Sequence, residues 1–329
     1  MLRSEQEIMK NWKGDISKPV VSICCITYNH EKYIEDAIRG FLIQETDFPF
    51  EIIIRDDAST DSTSNIIKKY QKQYPHIIKP IFEKENTYSK GIPPFPITFK
   101  QAQGKYIALC EGDDYWIDSK KLQIQIDFLE KNNDYVYTFH NVKIYDEIHN
   151  KTIDNASLVN LYKIKKKSFD CKDIILGQFI SQTLSMVFRN IFLLHNIEYP
   201  QCFDKLPFGD KSLEKFLISF GKAYYFDKEM AVYREHSGGI SKDPKWKKKM
   251  KSINTDLLLY SCLSKYVNSN HSCYYILKLR KSLFELLEEK KKVELIKVLY
   301  KLSKEKNLNF LEKQIDFFKA LKFYLKRIK

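Results

Sequence analysis

The sequence is poorest in the features that place a chain outside the cell or across a membrane. No Cys-x-x-Cys pair occurs, and the seven cysteines are odd in number and scattered, so neither a zinc framework nor a disulfide scaffold is expected. Cys24, Cys25 and Cys110 stand inside apolar runs and read as small buried hydrophobes; a reducing cytoplasm fits that usage. No apolar run approaches the roughly 20 residues of a membrane helix. The polar stretch Met1–Gly14 has no apolar core of the kind a signal peptide carries. Internal repeats are missing too, as are helix-turn-helix, RNA-binding and zinc-finger patterns, which leaves nucleic acid unsupported as a partner.

What is present is a globular composition with a charge bias. Hydrophobic residues make up 43% and aromatics 14%, ample for a buried core. The 329 residues predict one large domain with an appendage. A net charge of +13 points to an anionic partner, such as a phosphorylated substrate or an anionic membrane surface.

The apolar pattern alternates between two periods. Pro19 precedes Val20–Ile26, a continuous apolar run of the kind that forms a strand buried on both faces. Tyr33, Ala37, Ile38, Phe41 and Leu42 then recur at helical spacing, and Phe50–Ile54 reads as a second strand. Ile66, Ile67 and Tyr70 mark a helix, Ile77–Phe82 a third strand, and Pro93, Pro94 and Pro96 a broken loop before a short helix at Phe99 and Ala102. Tyr106–Cys110 is the next strand, and Leu122, Ile126 and Leu129 the next helix. Alternation with short connections predicts an α/β fold with a Rossmann-like, mostly parallel sheet and flanking helices. Ligands of such sheets bind outside the carboxyl ends of the strands.

Carboxylates gather at two of those ends. Asp56 and Asp57 follow the second strand and open Asp56-Asp57-Ala58-Ser59-Thr60-Asp61. Helix capping explains the later residues, but not two adjacent carboxylates at a strand terminus, which can accept ring N–H groups of a uracil or a guanine. The fourth strand runs into Glu111-Gly112-Asp113-Asp114-Tyr115-Trp116. Three carboxylates in four residues repel one another unless a cation neutralises them. Hard oxygen ligands favour Mg²⁺ or Mn²⁺ over zinc, and such an ion would offset charge on a departing diphosphate. The plain structural alternative is a solvated acidic turn, against which the neighbouring Trp116 argues.

In the right order along the chain, Val21–Asn29, Asp56–Asp61 and Glu111–Asp114, with Lys121-Leu122-Gln123 and Phe128-Leu129 after them, resemble the successive motifs of family 2 glycosyltransferases with a GT-A fold. The likeness covers roughly residues 18–242. It implies an inverting enzyme that moves a sugar from a nucleoside diphosphate donor, a UDP-sugar in preference to a GDP-sugar, to a hydroxyl acceptor. Thr27, Tyr28 and Asn29 would line the nucleotide pocket, and Asp57 and Asp56 would hold the base or ribose. Asp113 would be the metal ligand, with Glu111 standing at the first position of the family's Asp-x-Asp motif and Asp114 beside the donor sugar. The resemblance also implies a setting in bacterial surface polysaccharide, lipooligosaccharide or glycan assembly, with a carbohydrate or lipid-linked acceptor.

Two later features complete the expected site. Asp210, ahead of the helical run Leu213, Phe216, Leu217 and Phe220, is structurally a helix N-cap; the resemblance makes it the catalytic base, and an inverting transfer needs only that one carboxylate near the acceptor. His236 lies between Arg234 and a Gly-Gly loop and is expected to touch the metal or the diphosphate, while His30 and the five remaining histidines read as structural. A boundary near residue 245 would separate the GT-A domain, 1–245, from a basic helical region, 246–329. From His271 onward 16 basic residues face 7 acidic ones. Either an ordinary packed helix with a solvated face or a helix lying on the anionic inner membrane surface follows from that pattern. Two rivals stand beside the transferase. A sugar nucleotidyltransferase wants a Gly-rich phosphate loop after the first strand, which Thr27-Tyr28-Asn29-His30 is not; a non-catalytic basic membrane-surface protein needs neither Asp113 nor Asp210.

Overall fold

The computed structural model describes residues 2–161, 163–176, 181–195, 197 and 209–237, with the side chains of 176 and 209–211 outside that description. The expected boundary near 245, the basic region 246–329, the Gly-Gly loop after Ser237 and the Asp210 side chain all lie outside the described residues.

The chain opens with a short capped helix, α1 (Glu5–Met9), then enters β1 (Val21–Thr27), α2 (Ile34–Leu42), β2 (Phe50–Asp56), α3 (Thr63–Gln73) and β3 (Ile78–Phe82). Next come α4 (Phe95–Gln101), β4 (Tyr106–Glu111), β5 (Tyr115–Trp116), α5 (Lys121–Lys131), β6 (Tyr135–Asp146) and β7 (Lys151–Ile153). The last described elements are α6 (Leu158–Leu161), β8 (Ser168–Phe169), α7 (Cys171–Leu176), β9 (Val187–Arg189), α8 (Ile191–Leu194), α9 (Gly209–Leu217) and β10 (Lys222–Glu235). One sheet runs in the order β3-β2-β1-β4-β9-β6-β10-β5. The first four strands are parallel. β9 is antiparallel to both β4 and β6, and β10 is parallel to β6. The two reversals at β9 cancel, so β6 and β10 end on the same side of the sheet as β1, β2 and β4. This is an α/β sheet of the GT-A kind, mostly parallel with antiparallel insertions.

The helices form where the apolar period predicts them. Ile34, Ala37, Ile38, Phe41 and Leu42 of α2 are fully buried, a stripe at i, i+3, i+4, i+7 and i+8 that seals one sheet face. The prolines act differently from the expected loop. Pro94 is the N-cap residue of α4, and Pro96 sits inside its first turn, where a missing N–H costs nothing because that group has no helical partner. The same helix ends earlier than the sequence pattern predicts, with Ala102 as an extended C-cap. Cys24, Cys25, Cys110 and Cys171 are free and buried, and burial pushes their thiols up. They fill the core as small hydrophobes. No helix among the described residues is long and apolar enough to cross a membrane.

The turn after β4 is anchored from below. Trp116 is 2% exposed, donates its indole N–H to Leu184 O at 2.9 Å and packs edge-on against Phe41. α2 comes so close that a Cβ on Gly40 would meet the Trp116 backbone at 2.7 Å. Gln44 donates to Gly40 O and Asp118 O and accepts from Leu122 N. A satisfied buried amide of this kind fixes the β5–α5 connection without an unpaired polar group. Lys121 is fully buried, bonded to Gln125 and 4.0 Å above the Trp116 ring; burial pushes its amine down to about 7.

Candidate active site

Four strand ends converge on one cleft. β1 ends at Thr27, and Asn29 just beyond it takes φ 54, a left-handed turn that asparagine tolerates. The β1 and β2 loops are stitched together by side chains. Asn29 N–H donates to Ser59 Oγ, Thr60 N–H to Asn29 Oδ1, His30 N–H to Thr63 Oγ1 and Glu31 N–H to Asp61 Oδ2. Asn29 therefore builds the rim, while the Tyr28 ring stays 41% exposed and can offer a face for stacking. The Thr27 hydroxyl is buried without a partner.

Both carboxylates at the end of β2 are deeply buried and strongly engaged. Asp56 accepts from Ser59 N and from the hydroxyls of Ser59 and Ser64. Asp57 Oδ1 accepts from Arg55 at 2.8 Å, Thr87 N–H at 3.0 Å and Thr87 Oγ1 at 2.8 Å; its Oδ2 accepts from Tyr88 N–H at 3.0 Å. Burial pulls the Asp57 carboxyl up, but the Tyr88 and Thr87 hydrogen bonds and the Arg55 charge outweigh it and hold it below the usual carboxylate range. Arg55, fully buried, also pairs with Glu83 at 2.9 Å.

The β4 turn presents the second acidic group. A Cβ on Gly112 would lie 2.7 Å from both Cβ and Oγ1 of Thr27, so only glycine lets the two strand ends approach this closely. Asp114 turns inward, 2% exposed, and accepts the Arg234 N–H at 2.8 Å. Burial, then repulsion from Asp113 and Glu111, pushes its carboxyl well up. Asp113 faces the cleft. Its Oδ2 is 3.2 Å from His236 Nε2 and 3.7 Å from His30 Nε2. Burial pushes the His30 imidazole down, against the pull of Asp113.

Arg234 ties this group to the rest. It bonds Asp113 O at 3.1 Å and pairs with Asp36 at 2.8 Å. Its guanidinium lies 4.7 Å and 4.9 Å from the Tyr33 and Tyr115 ring centroids. Tyr33 in turn packs 4.8 Å from His236 and bonds Glu147. Among the described residues no three His, Cys, Asp or Glu donors already enclose an ion-sized space. Asp113 Oδ2 and His236 Nε2 do have the spacing of neighbouring ligands. That donor pair could supply two ligands to a divalent cation.

Residues 22–193 match the family described as glycosyl transferase family 2. The chain belongs to glycosyl transferase family 2. An uncharacterized protein of Mycobacterium tuberculosis is 34% identical over 224 residues, 67% of this chain and 60% of its own length; the chain thus spans about three fifths of that relative. The family relative TuaG of Bacillus subtilis, a putative teichuronic acid biosynthesis glycosyltransferase, is 36% identical over 37% of this chain and 44% of its own. In three dimensions the fold is similar to that of Staphylococcus aureus TarS 1-349 in complex with UDP (TM-score 0.57, 19% identity, 82% of this chain and 72% of that one). It is also similar to mannosyltransferase PcManGT from Pyrobaculum calidifontis in complex with GDP-Man and Mn²⁺ (TM-score 0.51, 13% identity, 97% and 86%).

The structure brings Thr27, Tyr28, Asn29, Glu111, Asp113, Asp114 and His236 to one side of the sheet, with Asp56 and Asp57 at the neighbouring strand end. The backbone of Asp210 lies in α9 (Gly209–Leu217), and its side chain is outside the described residues. His30, read as structural, stands against Asp113. Its signal in the sequence was its place directly after Thr27-Tyr28-Asn29 at a strand's carboxyl end. Arg55, Thr87 and Tyr88 carried no such signal: Arg55 reads as one more residue of a buried strand, and Thr87 and Tyr88 reach Asp57 from beyond β3.

Proposed function

We propose that the chain transfers a glycosyl group from a nucleoside diphosphate sugar to a hydroxyl of a carbohydrate or lipid-linked glycan, with inversion at the anomeric carbon. The observation that carries this reading is the meeting of Asp113 with His236, 123 residues apart, at the mouth of a parallel sheet. Asp113 and His236 would hold Mn²⁺ or Mg²⁺, which supplies Lewis-acid neutralisation of the leaving diphosphate. Tyr28 stacks on the base. Asp57 has Oδ1 filled by three donors and Oδ2 by one, which leaves room for a single further donor. The lone ring N–H of uracil matches that opening; the adjacent N–H groups of guanine need more. A UDP-sugar is therefore the favoured donor. Thr27, Asn29, Asp56 and Glu111 shape the nucleotide side of the cleft. Asp114, sealed from solvent, reaches the donor only through the Arg234 and Asp113 it positions.

For the transfer itself, the acceptor oxygen attacks the anomeric carbon, its proton passes to the Asp210 carboxylate, and the diphosphate departs with the bonding electrons. Assembly of a bacterial surface polysaccharide or related glycan, at the cytoplasmic face of the membrane, is the setting that this chemistry and the basic residues after 245 support. The test is donor hydrolysis across UDP- and GDP-sugars, with Mn²⁺, with Mg²⁺ and with EDTA, in the wild type and Asp113→Asn. Expected are metal-dependent hydrolysis of a UDP-sugar and its loss in the variant; EDTA-resistant turnover, or full turnover by Asp113→Asn, would refute the metal assignment.

A further inference from the structure

A cavity separate from the cleft opens at the opposite end of the sheet. It encloses about 610 Å³, within the size range of small-molecule sites. Its lining includes Pro19, Pro49 and Gln103, which stand just ahead of β1, β2 and β4, whereas the cleft lies at the carboxyl ends of those strands. β1 spans seven residues, which sets the two about 20 Å apart. One wall is the segment between α1 and β1, fixed by Lys13 N–H on Asp47 O and Val20 N–H on Pro49 O, both at 2.8 Å. α1 itself is held by Glu5, which accepts from His76 N–H and Ile77 N–H. The walls are tied to the sheet by these bonds, so the cavity is preformed.

Glu51 carries the chemistry of this cavity. It is 7% exposed. Its Oε1 accepts from Ser22 Oγ at 2.6 Å and Gln103 N–H at 2.9 Å, while its Oε2 is neither hydrogen-bonded nor sealed from solvent among the described residues. Lys79, on the same lining, does not pair with it and donates to Pro75 O at 3.0 Å instead. A buried carboxylate with one open oxygen calls for a hydrogen-bond donor. Other parts of the lining are apolar: half-buried Trp12, its ring 5.3 Å from that of Phe50, with Pro80 and Ile16, which stays 54% exposed. The Glu51 charge disfavours an anion, and Lys79 disfavours a cation. A sugar ring meets what is left, apolar on its C–H faces and a hydroxyl donor at its edge. We propose that this cavity is a saccharide site for a neutral mono- or disaccharide unit, with Glu51 Oε2 accepting from a ring hydroxyl and Trp12 packing on the C–H face. The binding is independent of the transferase reading. Its use, to keep a glycan acceptor on the enzyme while its end is extended in the cleft, rests on that reading.

Saturation-transfer NMR on the full chain tests this, with N-acetylglucosamine, glucose and maltose as neutral probes and choline and inorganic phosphate as charged ones. The wild type should transfer saturation to a neutral sugar and to neither charged probe. Glu51→Gln keeps an acceptor for Ser22 and Gln103 N–H and turns the open oxygen into a donor. It should weaken that sugar roughly tenfold or more, the value of a hydrogen bond to a charged group. Gln101→Trp fills the cavity from an exposed position on its lining and should abolish binding, a result that does not depend on Glu51→Gln folding. Asp113→Asn, altered in the cleft, should bind the sugar as the wild type does. No transfer to any of the three sugars at millimolar concentration overturns the proposal. So does binding of choline or phosphate in place of sugar, or sugar binding that Asp113→Asn loses and Gln101→Trp keeps. Sugar bound in this cavity by a chain that hydrolyses no donor leaves the site standing and refutes the transferase reading; donor hydrolysis without such binding refutes the site alone.

Discussion

Replacing Arg55 with methionine should destabilise the protein by about 3 kcal/mol, because it strands a buried carboxylate. Removing one partner of a buried ion pair costs roughly 3–5 kcal/mol, most of it the penalty on the charge left behind. Asp57 is 3% exposed but keeps Thr87 N–H, Thr87 Oγ1 and Tyr88 N–H as donors, which puts the cost at the low end. The Glu83 carboxylate, 23% exposed in its side chain, is solvated and adds little. Methionine keeps the packing of the arginine stem, so the loss reports the charge and its bonds. At about 2–4 °C per kcal/mol, the melting temperature should fall by about 6–12 °C. The assay is a double-mutant cycle in urea with Arg55→Met, Asp57→Asn and the double variant, in which the double should lose clearly less than the sum of the singles. The pH dependence has a definite sign. Asp57 is held below its ordinary value, so its contribution is complete above the unfolded value near 3.8 and is lost as pH falls through the folded one. The gap between wild type and Arg55→Met should therefore narrow below pH 4. Additive singles, or an Arg55→Met variant within about 1 kcal/mol of the wild type, would refute this account of Asp57.

Asp210→Asn should leave donor affinity nearly unchanged and cut turnover by roughly 10²–10⁴-fold; a loss confined to nucleotide binding would move Asp210 off the acceptor side. Lys121→Met should change the pH profile of stability. The buried amine is lowered to about 7 from 10.5, so between those values the unfolded chain binds a proton the folded one does not. Wild-type stability then climbs with pH through that window. Denaturation at pH 7, 8.5 and 10 should show the climb in the wild type and a flatter profile in the variant; parallel profiles would mean the amine stays protonated in the fold.

The sequence by itself determined the layers and the positions of the chemistry. Apolar runs at β1, β2 and β4 and the stripe on α2 are local patterns, and burial on both faces of a parallel strand leaves no other reading of Val21–Thr27 or Tyr106–Glu111. The acidic residues were legible for the same reason, since a carboxylate cluster after a buried strand is costly without a ligand or a cation. Tertiary structure decided what each of them does. Asp56 and Asp57 look alike in sequence, yet Asp56 holds its own loop while Asp57 is clasped by Arg55 of its own strand and by Thr87 and Tyr88 from beyond β3. Asp113 and Asp114 are adjacent in the turn between β4 and β5, and that turn directs Asp113 toward His236 and Asp114 to the Arg234 backbone. His30 and His236 come together because β9, antiparallel to both β4 and β6, lets β6 and β10 end on the same side of the sheet as β1. Contacts of that kind depend on strand order, which carries no local period; the sequence could place His30 at a strand's carboxyl end but not against Asp113 and His236.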